Sequence, residues 1–144
     1  MRKLTHILSL VFTVTLFVPS FAFGEGVKYE DLVKREGLYY KKFTEVPFTG
    51  KATNRFLDQL SFKDGKRDGF TIIYWSNGQI HLKGNYKDGK LHGPFFEYSE
   101  NGKLVGKGTY KDGKRDGYWH YYKSDGSKDL FRSGTYKGFK KISD

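Results

Sequence analysis

Among the chain's carboxylate-glycine pairs, the four at Asp64-Gly65, Asp88-Gly89, Asp112-Gly113 and Asp125-Gly126 come nearest to a recurring chemical motif. Paired carboxylates can divide acid and base work when a fold brings them together. Each Asp here precedes a glycine, however, and Asp-Gly suits a tight turn because Gly accepts positive φ and Asp tolerates it. Turn formation accounts for all four. The histidines converge no better: His6 lies near the N-terminus, and His81, His92 and His120 share no spacing that sets two ligands on one side of a helix or strand. The chain has no cysteine, which excludes thiolate metal sites, cysteine nucleophiles and disulfides. It carries no GxSxG elbow and no dinucleotide fingerprint. The glycines around Gly106 are followed by no helical pattern that could supply a phosphate-binding dipole. The reading is a chain that is not an enzyme, with no catalytic residue, no metal site and no cofactor.

The Asp-Gly pairs belong to a longer phrase. Phe62-Lys63-Asp64-Gly65-Lys66, Tyr86-Lys87-Asp88-Gly89-Lys90 and Tyr110-Lys111-Asp112-Gly113-Lys114 recur every 24 residues. Other markers keep register with them: Gly69, Gly93 and Gly117; Tyr74, Tyr98 and Tyr122; Asn77-Gly78, Asn101-Gly102 and Asp125-Gly126. Gly84 and Gly108 align, and Gly134 joins them after a two-residue insertion. Fixed-period self-similarity marks a repeat architecture in which neighbouring units share a core. Three units follow, 62–85, 86–109 and 110–135, with Tyr136-Lys137-Gly138 opening a truncated fourth. Two turn signals per unit enclose short runs rich in aromatic and β-branched residues, which read as strands. Each unit is therefore expected to be a β-hairpin, and the fold class is all-β.

Period-two alternation sorts side chains between the faces of such a sheet. Phe70, Ile72 and Tyr74 share one face with Phe96 and Tyr98, and with Tyr118, His120 and Tyr122; this face is taken as the core. Leu104 lies with Tyr110, and Gly106 and Gly108 between them leave gaps that rings from the adjoining unit should fill. Trp75, Phe95, Trp119 and Tyr121 then fall on the opposite face. Aromatic rings interleaved with lysine there suit a protein, glycan or lipid head group. The alternative is that these rings form a second core where the sheet curls on itself.

The ends read differently. Arg2-Lys3, an apolar run from Ile7 to Val18 and small residues up to Gly24 describe a secretory signal peptide over 1–24, cleaved after Ala22 or Gly24. Export places the mature chain in the periplasm or outside the cell, and the missing cysteine excludes a lipoprotein. Residues 25–61 form a leader: Tyr29, Leu32 and Val33 have helical spacing, and Gly37 could end a short helical cap. A degenerate first repeat runs from Leu38 to Leu60, broken by Pro47 and Gly50. The composition is basic, with 26 Lys and Arg against 16 Asp and Glu. That balance reads first as lysines on turns and strand edges that keep the sheet soluble; where it serves binding in an exported chain, it suits anionic lipid, an envelope glycan or an acidic protein surface rather than nucleic acid.

The stretch YKDGKLHGPFFEYSENGKLVGKGTYKDGKRDGYWHYY, from Tyr86 to Tyr122, resembles the MORN repeat family in the bacterial variant of YwqK-like antitoxin proteins. DLVKREGLYYKKFTEVPFTGK, from Asp31 to Lys51, resembles that family's N-terminal leader. The resemblance implies tandem β-hairpins in an extended, twisted antiparallel sheet. It also implies a protein-interaction scaffold, contact with membrane lipid, or neutralisation of a toxin partner. The functional expectation is an exported, non-enzymatic repeat scaffold that binds a protein or other envelope macromolecule through an aromatic and basic sheet face. An antitoxin and an anionic-lipid-binding surface protein are the alternatives.

Overall fold

The computed structural model describes residues 26–56 and 58–144. The predicted signal peptide and its cleavage bond lie outside the described residues. Among the described residues no helix is long and apolar enough to cross a membrane.

Thirteen strands follow in chain order: β1 (Val27–Lys28), β2 (Leu32–Arg35), β3 (Leu38–Lys41), β4 (Gly50–Thr53), β5 (Gln59–Lys63), β6 (Lys66–Arg67), β7 (Gly69–Tyr74), β8 (Ile80–Lys87), β9 (Lys90–Tyr98), β10 (Leu104–Lys111), β11 (Lys114–Tyr121), β12 (Gly134–Gly138) and β13 (Lys140–Ser143). From β7 to β13 each strand pairs antiparallel with the next in sequence, and β4, β5 and β1 extend the same sheet beyond β7. The β1–β4 pair is parallel, so the large sheet is mixed. The chain is all-β.

The repeated phrase builds a two-residue hairpin turn. Asp64 and Gly65, Asp88 and Gly89, and Asp112 and Gly113 all have positive φ, the first residue near 50° and the second between 75° and 83°. Two left-handed residues in succession define the turn whose twist matches paired strands. Lys63 opposes Lys66, Lys87 opposes Lys90 and Lys111 opposes Lys114 across these turns. The turn amides are then free to reach backwards. Gly65 N donates to Phe48 O, Gly89 N to Arg67 O and Gly113 N to Leu91 O, at 2.8–2.9 Å. Each turn is thereby tied to the preceding stretch of chain.

The other turns differ. At Asn77-Gly78, Asn101-Gly102 and Asp125-Gly126 only the glycine has positive φ. Trp75 N donates to Gln79 O at 2.7 Å and Gly78 N to Trp75 O at 2.9 Å, the pattern of a three-residue loop closed by a left-handed glycine. The Asn77 and Asp125 side chains accept the amide two residues on, at 2.9 and 2.8 Å.

The expected N-terminal helical cap is absent from this part of the chain. A single 3-10 turn, Tyr29–Asp31, leads into a two-stranded sheet of β2 and β3. Glu36 and Gly37 join them with φ of 49° and 82°, the backbone of the Asp-Gly turns. Helical spacing over so few residues was outweighed by this turn and by strand pairing. The small sheet packs on the first of two cores, where Phe48, Ala52, Leu60 and Phe62 are buried and Tyr39 meets Phe62 edge-on at 5.0 Å.

The second core contains Phe95, Trp119, Tyr121 and Tyr136, with Leu82, Leu91 and Tyr110 packed on it. Tyr110 meets Trp119 edge-on at 5.0 Å, and Trp119 stacks on Tyr121 at 5.8 Å. The face assignment from alternation is therefore inverted. The gaps do receive rings: Phe95 lies against Gly84, Tyr121 against Gly106 and Trp119 against Gly108. Those rings come from the next unit, on the face that the sequence reading had left open between a binding stripe and a second core, and they form a core.

Candidate binding surface

Core formation on one face leaves the other for contact with solvent and partners. Direct cross-strand neighbours lie on the same face. Gln59 pairs with Ile72, Ile72 with Lys83, Lys83 with Phe96, Phe96 with Lys107, and Lys107 with His120. A row of alternating apolar or aromatic and lysine side chains thus crosses β7 to β11. Thr71, Phe95 and Trp119, the chain neighbours of Ile72, Phe96 and His120, point to the opposite face and are buried.

The row residues from Ile72 to His120 are half-buried, which fits long lysine stems lying along apolar neighbours with their ammonium groups in water. Neither Lys83 nor Lys107 belongs to an ion pair among the described residues. Phe70, 48% exposed, and Tyr118, 39% exposed, border the row. Lys128 donates to the Tyr118 hydroxyl at 2.9 Å, and Tyr118 lies 4.8 Å from His120 between ring centres. Burial holds His120 below its ordinary value, and the neighbouring charges of Lys107 and Lys128 push in the same direction. The shift disfavours the charged imidazole, so the row's lysines carry its positive charge.

The four expected binding residues have other roles. Phe95, Trp119 and Tyr121 are buried in the second core, so no exposed stripe forms from them. Trp75 is half-buried: its ring lies against His81 at 3.8 Å between ring centres with a 32° tilt, and its Nε1 donates to Tyr98 O at 3.0 Å, tying one hairpin to the next. Asn77 Nδ2 makes a parallel tie to Glu100 O at 2.7 Å. What sequence reasoning missed is Phe96 with Lys83 and Lys107. The signal for them was available, because aromatic rings needed to fill glycine gaps must share the face of those glycines.

Among the described residues no three His, Asp or Glu side chains gather as a metal site. His92 Nδ1 approaches Asp112 Oδ1 at 3.4 Å without hydrogen-bond geometry. The Asp125 carboxyl is held below its usual range by the hydroxyl and amide of Ser127, which is turn chemistry.

No family model matches the chain, and no curated protein matches it in sequence.

Proposed function

We propose that the chain is an exported, non-enzymatic scaffold of MORN-type repeats that binds a protein partner in the cell envelope through the face carrying Lys83, Phe96 and Lys107. The observation that carries this reading is the row itself: five consecutive strands set apolar and lysine side chains alternately on a face that the core does not use. Aromatic anchors beside unpaired cations suit an acidic partner surface with apolar contacts at its centre. The repeated phrase and its 24-residue spacing support the MORN-type assignment. A toxin neutralised by this chain would be one such protein partner.

Charge reversal tests the proposal. Lys83→Glu/Lys107→Glu should leave the fold intact by circular dichroism and abolish capture of the partner that wild-type protein retrieves from envelope extracts. Equal capture by both proteins would remove this face from consideration.

A further inference from the structure

A different surface lies at the C-terminal end of the sheet. Leu130, Phe131, Phe139 and Ile142 are 70, 90, 76 and 56% exposed, and with Arg115 and Arg132 they line an open cleft of about 1110 Å³ beside β13. Among the described residues β13 pairs only with β12, so its outer edge presents backbone groups with no strand opposite them. The cleft is cationic. Arg115 lies 4.3 Å from the Tyr136 ring and Arg132 4.2 Å from the Tyr121 ring, and neither is ion-paired among the described residues. Lys140 is exposed and equally unpaired, whereas Lys141 is engaged by Asp144 at 2.5 Å and by the carbonyl of Phe131 at 2.9 Å.

Charge and edge together select the occupant. A second copy would bring the same cations face to face, and edge lysines with an irregular ladder, present here between Thr135 and Tyr136, are devices against edge-to-edge self-pairing. A nucleic acid would leave four apolar side chains unmatched. A bilayer would match charge and side chains, but its apolar region cannot satisfy the open backbone edge. An extended segment that carries carboxylate and apolar side chains together at every second position answers all three features, since strand addition pairs the edge while the set facing the cleft meets both the cations and the apolar cluster.

We propose that the β13 edge and its adjoining cleft receive, by strand addition, an extended segment of a partner protein that carries carboxylate and apolar side chains together on its cleft-facing side. This site goes beyond the row of Lys83, Phe96 and Lys107 and uses none of its residues.

The test is fluorescence anisotropy with a short, capped, labelled peptide that has glutamate and valine in turn at every second position and serine between them. Saturable binding that weakens with added salt is expected. Phe131→Ser and Arg132→Glu, both at exposed positions, should each weaken it by about tenfold or more. Two versions of the peptide, N-methylated on the amides of one edge or the other, should differ in affinity by about tenfold, because only one can still pair with β13. Equal binding by both would overturn strand addition. Tighter binding to phosphatidylglycerol vesicles than to the peptide would make the occupant a membrane. Concentration-dependent association removed by Phe131→Ser would make it a second copy. The Lys83→Glu/Lys107→Glu protein should bind the peptide normally; loss of binding there would place the peptide on the row and overturn the proposal while leaving the row's function standing.

Discussion

Replacing Gly108 with alanine should destabilise the sheet through a side-chain clash alone. A Cβ at this position would overlap the Trp119 indole at three atoms, Cδ2, Cε2 and Cγ. No left-handed backbone is involved, so the clash alone sets the outcome. Trp119 is 1% exposed and cannot retreat freely: Tyr110 stands edge-on at 5.0 Å, Tyr121 stacks at 5.8 Å, and its Nε1 donates to Thr109 O at 3.1 Å. Restoring ordinary carbon separations requires a shift of about 1 Å. Overpacking of this kind costs about 1–3 kcal/mol, and loss of the indole hydrogen bond adds about 1 kcal/mol. For a chain of this length the sum lowers the melting temperature by about 10 °C. Thermal unfolding followed by near-ultraviolet circular dichroism measures it. Gly84→Ala is the control, since its Cβ would meet Phe95 at 3.0 Å and only a small movement is needed. Gly108→Ala/Trp119→Phe should recover part of the loss, because the two changes share one space. An unchanged melting temperature for Gly108→Ala, or a larger loss for Gly84→Ala, would refute the reasoning.

Other expectations rest on separate contacts. Ser133 is buried, and its hydroxyl takes the Tyr121 amide at 2.9 Å and donates to the Tyr121 carbonyl at 3.2 Å; Ser133→Ala should cost about 1–3 kcal/mol by urea unfolding, since the amide loses its partner while the carbonyl keeps the Asp129 amide. Thr71 is 1% exposed and its hydroxyl has no partner among the described residues, so Thr71→Val should raise stability by about 1 kcal/mol, and a loss of stability would show that the hydroxyl is bonded. His120 is held below its ordinary value of 6.5 in the fold. Its contribution to stability is present above that pH and is lost as acidification carries the protein through the lowered folded value. Wild type should therefore lose more stability than His120→Phe as the pH falls below about 6.5, and parallel profiles would remove the effect.

Much of the architecture was legible because turn chemistry is local. Asp64-Gly65, Asp88-Gly89 and Asp112-Gly113 specify their backbone within two residues, and every strand boundary near them follows. Glu36-Gly37 adopts the same turn, but Glu is a poor marker for it, and the helical spacing of Tyr29, Leu32 and Val33 drew the leader toward a helix. The choice of face failed for a different reason. Alternation sorts residues into two sets without saying which set is buried, and both sets here are aromatic. Ladder irregularities between Ile73 and Tyr74, and between Leu104 and Gly106, further disturb parity along the return strands. The deciding clue was the small residues: Gly84, Gly106 and Gly108 admit Phe95, Tyr121 and Trp119 on their own side of the sheet. The cleft beside β13 gave no motif at all, because it joins a loop, a strand edge and two arginines that lie apart in the chain.

The most direct test of the account places a photo-crosslinking amino acid at Phe96 in the full chain inside cells, with the same group at the exposed hairpin tip residue Asn101 as control. The account predicts a discrete partner adduct from position 96 that Lys83→Glu/Lys107→Glu abolishes, and none from position 101. Equal adducts from both positions, or an adduct from 96 that survives charge reversal, would contradict it.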